Sequence, residues 1–156
     1  MITLIEVTND SVESDKDSYN EIYKESYDDK KNYYTPRSLV YDFQYIDSFD
    51  YYHFLAFPNH LNSKPIGIIE VSYFDVTLYV RLLYVKKFYQ NKLIEKQILK
   101  SAYKTMLKTL KQSQMTIILE IQSDNTKSKA LYQEMGFNPY SELVCLENGF
   151  DDENSI

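Results

Sequence analysis

The stretch YQNKLIEKQIL, residues 89–99, has the residue types of a turn that holds a phosphate group at the start of a helix. Polar residues precede an amphipathic run, and positive charge surrounds them at Lys86, Lys87, Lys92 and Lys96. A helix N-terminus attracts anions because its first backbone N–H groups lack intrahelical partners and its dipole is positive there. Glycine usually lets such a turn approach a phosphate closely, yet this stretch contains none. The pattern indicates an anion-binding turn built without glycine.

Few other residues have types and spacings suited to proton transfer or metal binding. Glu70 lies within the strand-like segment IIEVSY. Its carboxylate could face a cleft and accept a proton, although an outward-facing surface glutamate is the commoner arrangement. His53 and His60 lack metal-ligand spacing, so we predict no metal site. Cys145, the single cysteine, is interpreted as a small core residue.

Composition limits the class of protein. A chain of 156 residues with 44% hydrophobic content fits one domain, 1–156, with a sizeable core. Its formal charge of -6 argues against general nucleic-acid binding, which usually requires a basic face. A single cysteine permits no internal disulfide, and we find neither a signal-peptide pattern nor a membrane-spanning apolar run. We therefore expect a cytoplasmic protein that binds neither nucleic acid nor membrane.

The hydrophobic periodicity predicts the elements that must position these residues. Strands are predicted at 2–7, 51–57, 65–74, 77–85, 115–121 and 141–147, and helices at 18–27, 35–49, 92–111 and 125–137. Gly136 is expected to close the last helix. The three successive strands from residue 51 indicate an antiparallel meander with a tight turn near Asp75. The later strand, long helix and buried strand indicate a right-handed βαβ crossover. The predicted fold class is therefore α/β, with a mixed but mainly antiparallel sheet.

Two blocks, LLYVKKFYQNKLIEKQIL and IILEIQSDNTKSKALYQEMGF, resemble the GCN5-related N-acetyltransferase (GNAT) superfamily over residues 82–137. The family's fourth strand ends in an apolar-aromatic-Val step, followed by an acetyl-CoA turn that begins with Gln or Arg. The matching residues of the first block are Leu83, Tyr84, Val85 and Gln90. In the second block they are Leu119, Glu120, Ile121, Asn125, Leu131, Tyr132, Gly136 and Phe137. Leu93 and Glu95 stand where the family has small residues.

The resemblance implies an acyl-CoA N-acyltransferase fold and acetyl-CoA as cosubstrate. It implies that the cofactor contacts Leu83, Tyr84, Val85, Gln90, Asn91, Lys92, Leu93, Ile94, Glu95, Asn125 and Tyr132. Tyr132 matches a tyrosine that often acts as general acid, although a packed aromatic is an equal alternative. Asn125 matches a cofactor contact and equally suits a helix N-cap. The implied acceptor is an amine of a small molecule or a protein, bound beside the acidic region before residue 50 by a monomer or homodimer.

Two side chains leave a second function open. At a positive-φ position, Leu93 would cost about 1–2 kcal/mol, and its side chain would either enter the core or crowd the ligand. Glu95 suits the first turn of a helix, where the dipole favours a carboxylate, but it would repel a pyrophosphate. The alternative to an N-acetyltransferase is therefore a non-catalytic module of the same fold with a degenerate acetyl-CoA turn.

Overall fold

The computed structural model describes residues 2–29, 51–58, 63–120, 126–140 and 143–146. The strands are β1 (Ile2–Val7), β2 (Tyr51–Pro58), β3 (Gly67–Phe74), β4 (Thr77–Val85), β5 (Thr116–Glu120), β6 (Asn138–Tyr140) and β7 (Leu143–Leu146). The helices are α1 (Glu13–Asp28), α2 (Lys92–Leu110) and α3 (Thr126–Glu134), with a 3-10 turn at Lys87–Tyr89. The helix predicted at 35–49 lies outside the described residues. None of the described helices is long and apolar enough to cross a membrane.

The strands form one seven-stranded sheet in the order β1-β2-β3-β4-β5-β7-β6. Every pairing is antiparallel except that of β4 with β5, which are parallel and joined through α2. The predicted meander and βαβ crossover are confirmed. Strand β6 was not predicted from the sequence, because three residues are too few to show a periodicity.

Alternating side chains divide the core between the two faces of the sheet. One face packs on α2 and α3 through a large apolar cluster that includes Ile69, Leu83, Ile98, Met106 and Leu131. The other face packs on α1 through a smaller cluster that includes Tyr19, Ile22, Leu55, Ile68 and Tyr84. Since both faces bury apolar side chains, strands β2 to β4 have the rich content of branched and aromatic residues that made them recognisable.

Strand β4 contains one extra residue. Glu70 pairs with Leu82, whereas the next residue of β3, Val71, pairs with Val80, so Arg81 has no partner of its own in β3. This β-bulge reverses the alternation of side chains. Before the bulge Val80 faces α2, and after it the even-numbered residue Leu82 faces α1 instead.

The bulge lies next to the last described residue pair of the parallel ladder. Residues 77–80 of β4 pair with residues 116–119 of β5. Residues 82–85 of β4 continue along β3. Residues 121–125, which follow β5, lie outside the described parts, and α2 begins a few residues beyond the end of β4.

Gly67 allows the close approach of β3 and β4 at this end of the sheet. A Cβ atom added there would lie 2.7 Å from the carbonyl oxygen of Tyr84 and 3.2 Å from Cδ1 of Ile98. The first distance is below any real contact of a Cβ atom, and the neighbour is backbone. Residue 67 must therefore lack a side chain for β3 to lie against the end of β4 as it does.

The hairpin between β3 and β4 turns through two residues in the left-handed region, Asp75 (φ 49°) and Val76 (φ 55°). Two such residues form a type I′ turn, which matches the twist of the strands but favours Asn and Gly. The tight turn predicted near Asp75 is confirmed. A β-branched residue is unusual there, because its side chain crowds the backbone at positive φ.

We expect Val76→Gly to raise the free energy of unfolding by about 1 kcal/mol, because glycine adopts positive φ without steric cost. Val76→Ala is the matched control: alanine retains the Cβ atom, so its gain should be smaller. Urea denaturation at neutral pH measures both. A glycine variant less stable than wild type would show that the turn is not strained.

Candidate functional site

The candidate site lies between the end of β4 and the beginning of α2. The structure brings together there the end of β4, with Leu83, Tyr84 and Val85, and the turn of residues 86–91. Ile94 is half-buried and packs against the larger apolar cluster. The side chain of Lys92 and the whole of Asn125 lie outside the described parts. A helix N-terminus close to a strand end offers backbone N–H groups that have no intrahelical partners.

Asn91 is the N-cap of α2. Its backbone is extended, with φ -164° and ψ 135°, and its side-chain Oδ1 accepts a hydrogen bond of 2.7 Å from the N–H of Leu93. Such a cap stabilises a helix by typically about 1 kcal/mol. It also occupies one of the donors that a bound anion would otherwise use.

Leu93 differs from the arrangement expected from the sequence. Positive φ occurs among the described non-glycine residues only at Asp75, Val76 and Lys111, so the idea of a strained Leu93 is wrong. Leu93 is an ordinary residue of the first turn of α2, and 48% of its surface is exposed. Its side chain therefore does not enter the core, and its backbone is not strained.

Glu95 also lies in the first turn of α2, and its backbone N–H donates to the carbonyl of Asn91 at 3.2 Å. The residue is half-buried. Its negative charge contributes to raising the pKa of Tyr132 on α3. The carboxylate is therefore close enough to α3 to act on the space between the two helices, where it disfavours further negative charge.

Tyr132 lies within the large core cluster, with 7% of its surface exposed. Its ring meets that of Phe137 edge to face, with centroids 5.7 Å apart. Burial, and then the charge of Glu95, raise the pKa of its hydroxyl well above the usual range. The hydroxyl is consequently protonated at neutral pH and can act as a hydrogen-bond donor.

The end of α3 explains how Tyr132 is held. Gly136 has φ 98°, its N–H donates to Gln133, and the N–H of Phe137 donates to the carbonyl of Tyr132 at 3.0 Å. These two bonds and the ring contact make a Schellman motif. The predicted closure of the helix by Gly136 is confirmed, and the same motif fixes the backbone of Tyr132.

Glu70 is fully buried and faces α1, so an exposed, outward position for it is wrong. Its Oε2 lies 2.9 Å from Nε2 of His53, its register partner on β2. The ring of His53 meets that of Tyr19 on α1 edge to face, with centroids 5.3 Å apart. Glu70 and Tyr132 thus lie on opposite faces of the sheet, and Glu70 pairs with Leu82 beside the bulge. No group of three potential metal ligands occurs among the described residues.

Two functional candidates, one in the last turn of α1 and one at its C-cap, were not predicted from the sequence. Glu25 and Asp29 accept hydrogen bonds from the hydroxyl of Tyr84 at 3.0 and 3.1 Å. Burial, and then the hydrogen bonds to and negative charges of these two carboxylates, raise the pKa of Tyr84. The partners are 59 and 55 residues apart in the chain, and acidic residues on a polar helix carry no signal that distinguishes them from a solvated face.

Comparison with known proteins identifies the family. The model of the acetyltransferase (GNAT) family matches residues 16–137, a range that includes most of α1, the bulged strand, the turn, α2 and Tyr132. The search of curated proteins gives no match.

Solved structures show the same fold at low sequence identity. The spermidine N-acetyltransferase from Vibrio cholerae, in complex with CoA and spermine, has a TM-score of 0.72 at 14% identity, covering 96% of each chain. The ribosomal-protein-S18-alanine N-acetyltransferase from Escherichia coli has a TM-score of 0.66 at 17% identity, and the match covers 99% of this chain and 98% of that one. An N-acetyltransferase from Thermoplasma acidophilum, in complex with coenzyme A, has a TM-score of 0.65 at 20% identity, and the match covers 96% of this chain and 99% of that one.

The raised pKa of Tyr132 predicts how stability depends on pH. A tyrosine in the unfolded chain has a pKa of about 10, so the stabilising contribution of the protonated hydroxyl is complete below about pH 10 and is lost above it. We expect Tyr132→Phe to lose less of its free energy of unfolding between about pH 9 and 11 than wild type. Denaturant titrations across that range measure this. The partly exposed Tyr89→Phe is the control, and equal slopes for Tyr132→Phe and wild type would contradict the prediction.

Proposed function

Because the chain belongs to the acetyltransferase (GNAT) family, we propose that it transfers an acetyl group from acetyl-CoA to a primary amine by direct attack. The observation that carries the proposal is the N-terminus of α2, which is capped by Asn91 and joined to the end of β4 by the short turn of residues 86–91. Family members with this fold bind CoA, as the complexes from Vibrio cholerae and Thermoplasma acidophilum illustrate. We also propose that residues 1–156 form one domain, since the two core clusters cover the two faces of a single sheet.

The residues present fit a CoA pyrophosphate, except that the negative charge of Glu95 opposes an anion there. The backbone of Leu83, Tyr84 and Val85 would hold the pantetheine arm, and the first turn of α2 would hold the pyrophosphate. The turn residues are Gln90, Asn91, Lys92, Leu93, Ile94 and Glu95, to which we add Asn125 and Tyr132. Backbone N–H groups donate whatever side chain they carry, so the lack of glycine does not remove the donors. Glu95 is the residue that opposes an anion.

Acetyl-CoA supplies a thioester that a neutral amine can attack. The acceptor nitrogen must first lose a proton, and we assign the base to Glu70, held by His53 beside the bulge. Tyr132 faces the opposite side, and we propose that it donates a hydrogen bond to the departing thiolate, which takes up the second proton that the nitrogen loses as the amide forms. Its raised pKa makes outright transfer of its proton unfavourable, because a thiol is ordinarily the stronger acid, with a pKa of about 8.5 for cysteine.

The names of the compared enzymes support an amine as the class of acceptor. The names of the compared enzymes include spermidine and a ribosomal-protein alanine, so small amines and proteins both serve as acceptors in the family. An acidic chain of net charge -6 favours a cationic acceptor over nucleic acid or an anionic surface. We propose an amine acceptor in the cytoplasm, acted on by a monomer or homodimer.

Acetyl-CoA binding and turnover test the proposal together. At about 100 times its Kd, acetyl-CoA should raise the free energy of unfolding by about 2.7 kcal/mol, visible as a thermal shift. A panel of polyamines and amino-terminal peptides should then release CoA thiol. If millimolar acetyl-CoA gives no shift, the enzyme assignment fails and the non-catalytic module is favoured. That alternative rests on Asn91 and Glu95, which respectively occupy a donor and repel an anion.

We expect Glu95→Gln to tighten CoA binding by about tenfold, which corresponds to 1.4 kcal/mol, because it removes a carboxylate that repels the pyrophosphate. Glu13→Gln is the matched control, since Glu13 is also in the first turn of a helix, namely α1. Calorimetry with CoA should show Glu13→Gln within about twofold of wild type. An unchanged or weaker affinity for Glu95→Gln would show that this carboxylate does not repel the ligand.

A further inference from the structure

The C-terminal end of α1 is hydrogen-bonded to the turn that precedes α2. Oε2 of Glu25 accepts from the hydroxyl of Tyr84 at 3.0 Å and from the backbone N–H of Lys87 at 3.0 Å. One carboxylate oxygen thus joins the last part of β4 to the first residue of the 3-10 turn.

Asp29, the C-cap residue of α1, extends the same connection. Its Oδ2 accepts from the hydroxyl of Tyr84 at 3.1 Å and from Nε2 of Gln90 at 3.4 Å. Nε2 of Gln90 also donates to the carbonyl of Val85 at 3.1 Å. Both ends of the turn of residues 86–90 are therefore tied, one to Glu25 and the other to Asp29. We call Glu25 and Asp29 the acidic bracket.

The position of the acidic bracket is electrostatically unfavourable by itself. The negative end of a helix dipole disfavours carboxylates, and the last turn of α1 contains no basic residue. The two carboxylates also approach one hydroxyl and lie beside a turn proposed to hold a pyrophosphate. Charge-assisted hydrogen bonds to Tyr84, Lys87 and Gln90 are the interactions that compensate this arrangement.

We propose that Glu25 and Asp29 are positioning residues for acetyl-CoA, which hold the turn of residues 86–90 so that α2 presents its N-terminus to the pyrophosphate. This role rests on the proposed function. The bracket touches the turn and the end of β4, and acts on the cofactor through them. It therefore determines affinity for CoA and leaves the chemical step to other residues.

Two physical accounts of the bracket predict opposite signs. If Glu25 acted only as a nearby negative charge, its removal would relieve repulsion and tighten CoA binding. If it holds the turn, its removal releases the N–H of Lys87 and weakens binding, because the unliganded turn must then be ordered by the ligand.

The test compares Glu25→Ala, Glu25→Gln and Tyr84→Phe by calorimetry with CoA. We expect Glu25→Ala to weaken affinity at least tenfold. Glu25→Gln should lose less, since its amide oxygen still accepts hydrogen bonds. Tyr84→Phe retains the ring and removes the shared donor, and should weaken affinity severalfold without loss of folding. Glu21→Ala, an exposed acidic position on the same helix, is the control and should leave affinity within twofold.

Two further measurements separate positioning from general damage. The KM for acetyl-CoA should rise with Glu25→Ala while kcat at saturating acetyl-CoA stays within twofold of wild type. The amide of Lys87 should lose protection against hydrogen exchange in Glu25→Ala and keep it in Glu21→Ala.

Equal or tighter CoA binding by Glu25→Ala would overturn the proposal, as would a fall in kcat alone or unchanged exchange at Lys87. A wild-type protein that binds no CoA would instead overturn the proposed function, and this role with it. The two failures are distinguishable because the first requires a wild-type protein that binds CoA normally.

Discussion

The extra residue in β4 is the constraint on which the rest of the site depends. A regular strand would keep every second residue on one face of the sheet. With Arg81 inserted, the even-numbered residues of β4 face α2 up to Val80 and face α1 from Leu82 onward. The same insertion turns Tyr84 toward α1, where its hydroxyl meets the acidic bracket. One backbone irregularity thus connects the end of β4 to the helix on the opposite face.

The proposed anion site is built differently from a glycine-rich turn. Glycine allows close approach by omitting a side chain, whereas here the chain relies on a helix N-terminus capped by Asn91 and on hydrogen bonds that tie the preceding turn. A turn without glycine has less conformational freedom to lose. The disadvantage of this arrangement is electrostatic, because Glu95 and the two residues of the acidic bracket place three carboxylates near the proposed pyrophosphate site. The nearby lysines at 86, 87, 92 and 96 offset that negative charge through the overall electrostatic field of the molecule.

The features that could be predicted from the sequence are those whose interacting residues lie close together along the chain. Helix α2, the meander and the glycine cap after Tyr132 follow from local periodicity and turn chemistry, and all three were predicted correctly. Helix α1 begins five residues before the predicted start, since its first turn is polar and Val12 supplies no side-chain cap. The pair of Glu70 with His53 could have been found by aligning β2 with β3 through their alternation. The bulge could not, because an inserted residue changes which side chains face which helix without changing their types. Glu25 and Asp29 depend on contacts that only the folded chain brings together.

The bulge has a consequence for how the chain can change in length. Removing Arg81 alone would place Leu82 directly after Val80, and these two residues already face opposite sides of the sheet. Residues 82–85 would keep their partners in β3 and the helices that they face. Loss of a residue from a regular part of a strand would instead turn the residues beyond it to the wrong face. Arg81, an exposed residue, is therefore a position at which β4 can lose a residue without disturbing either core.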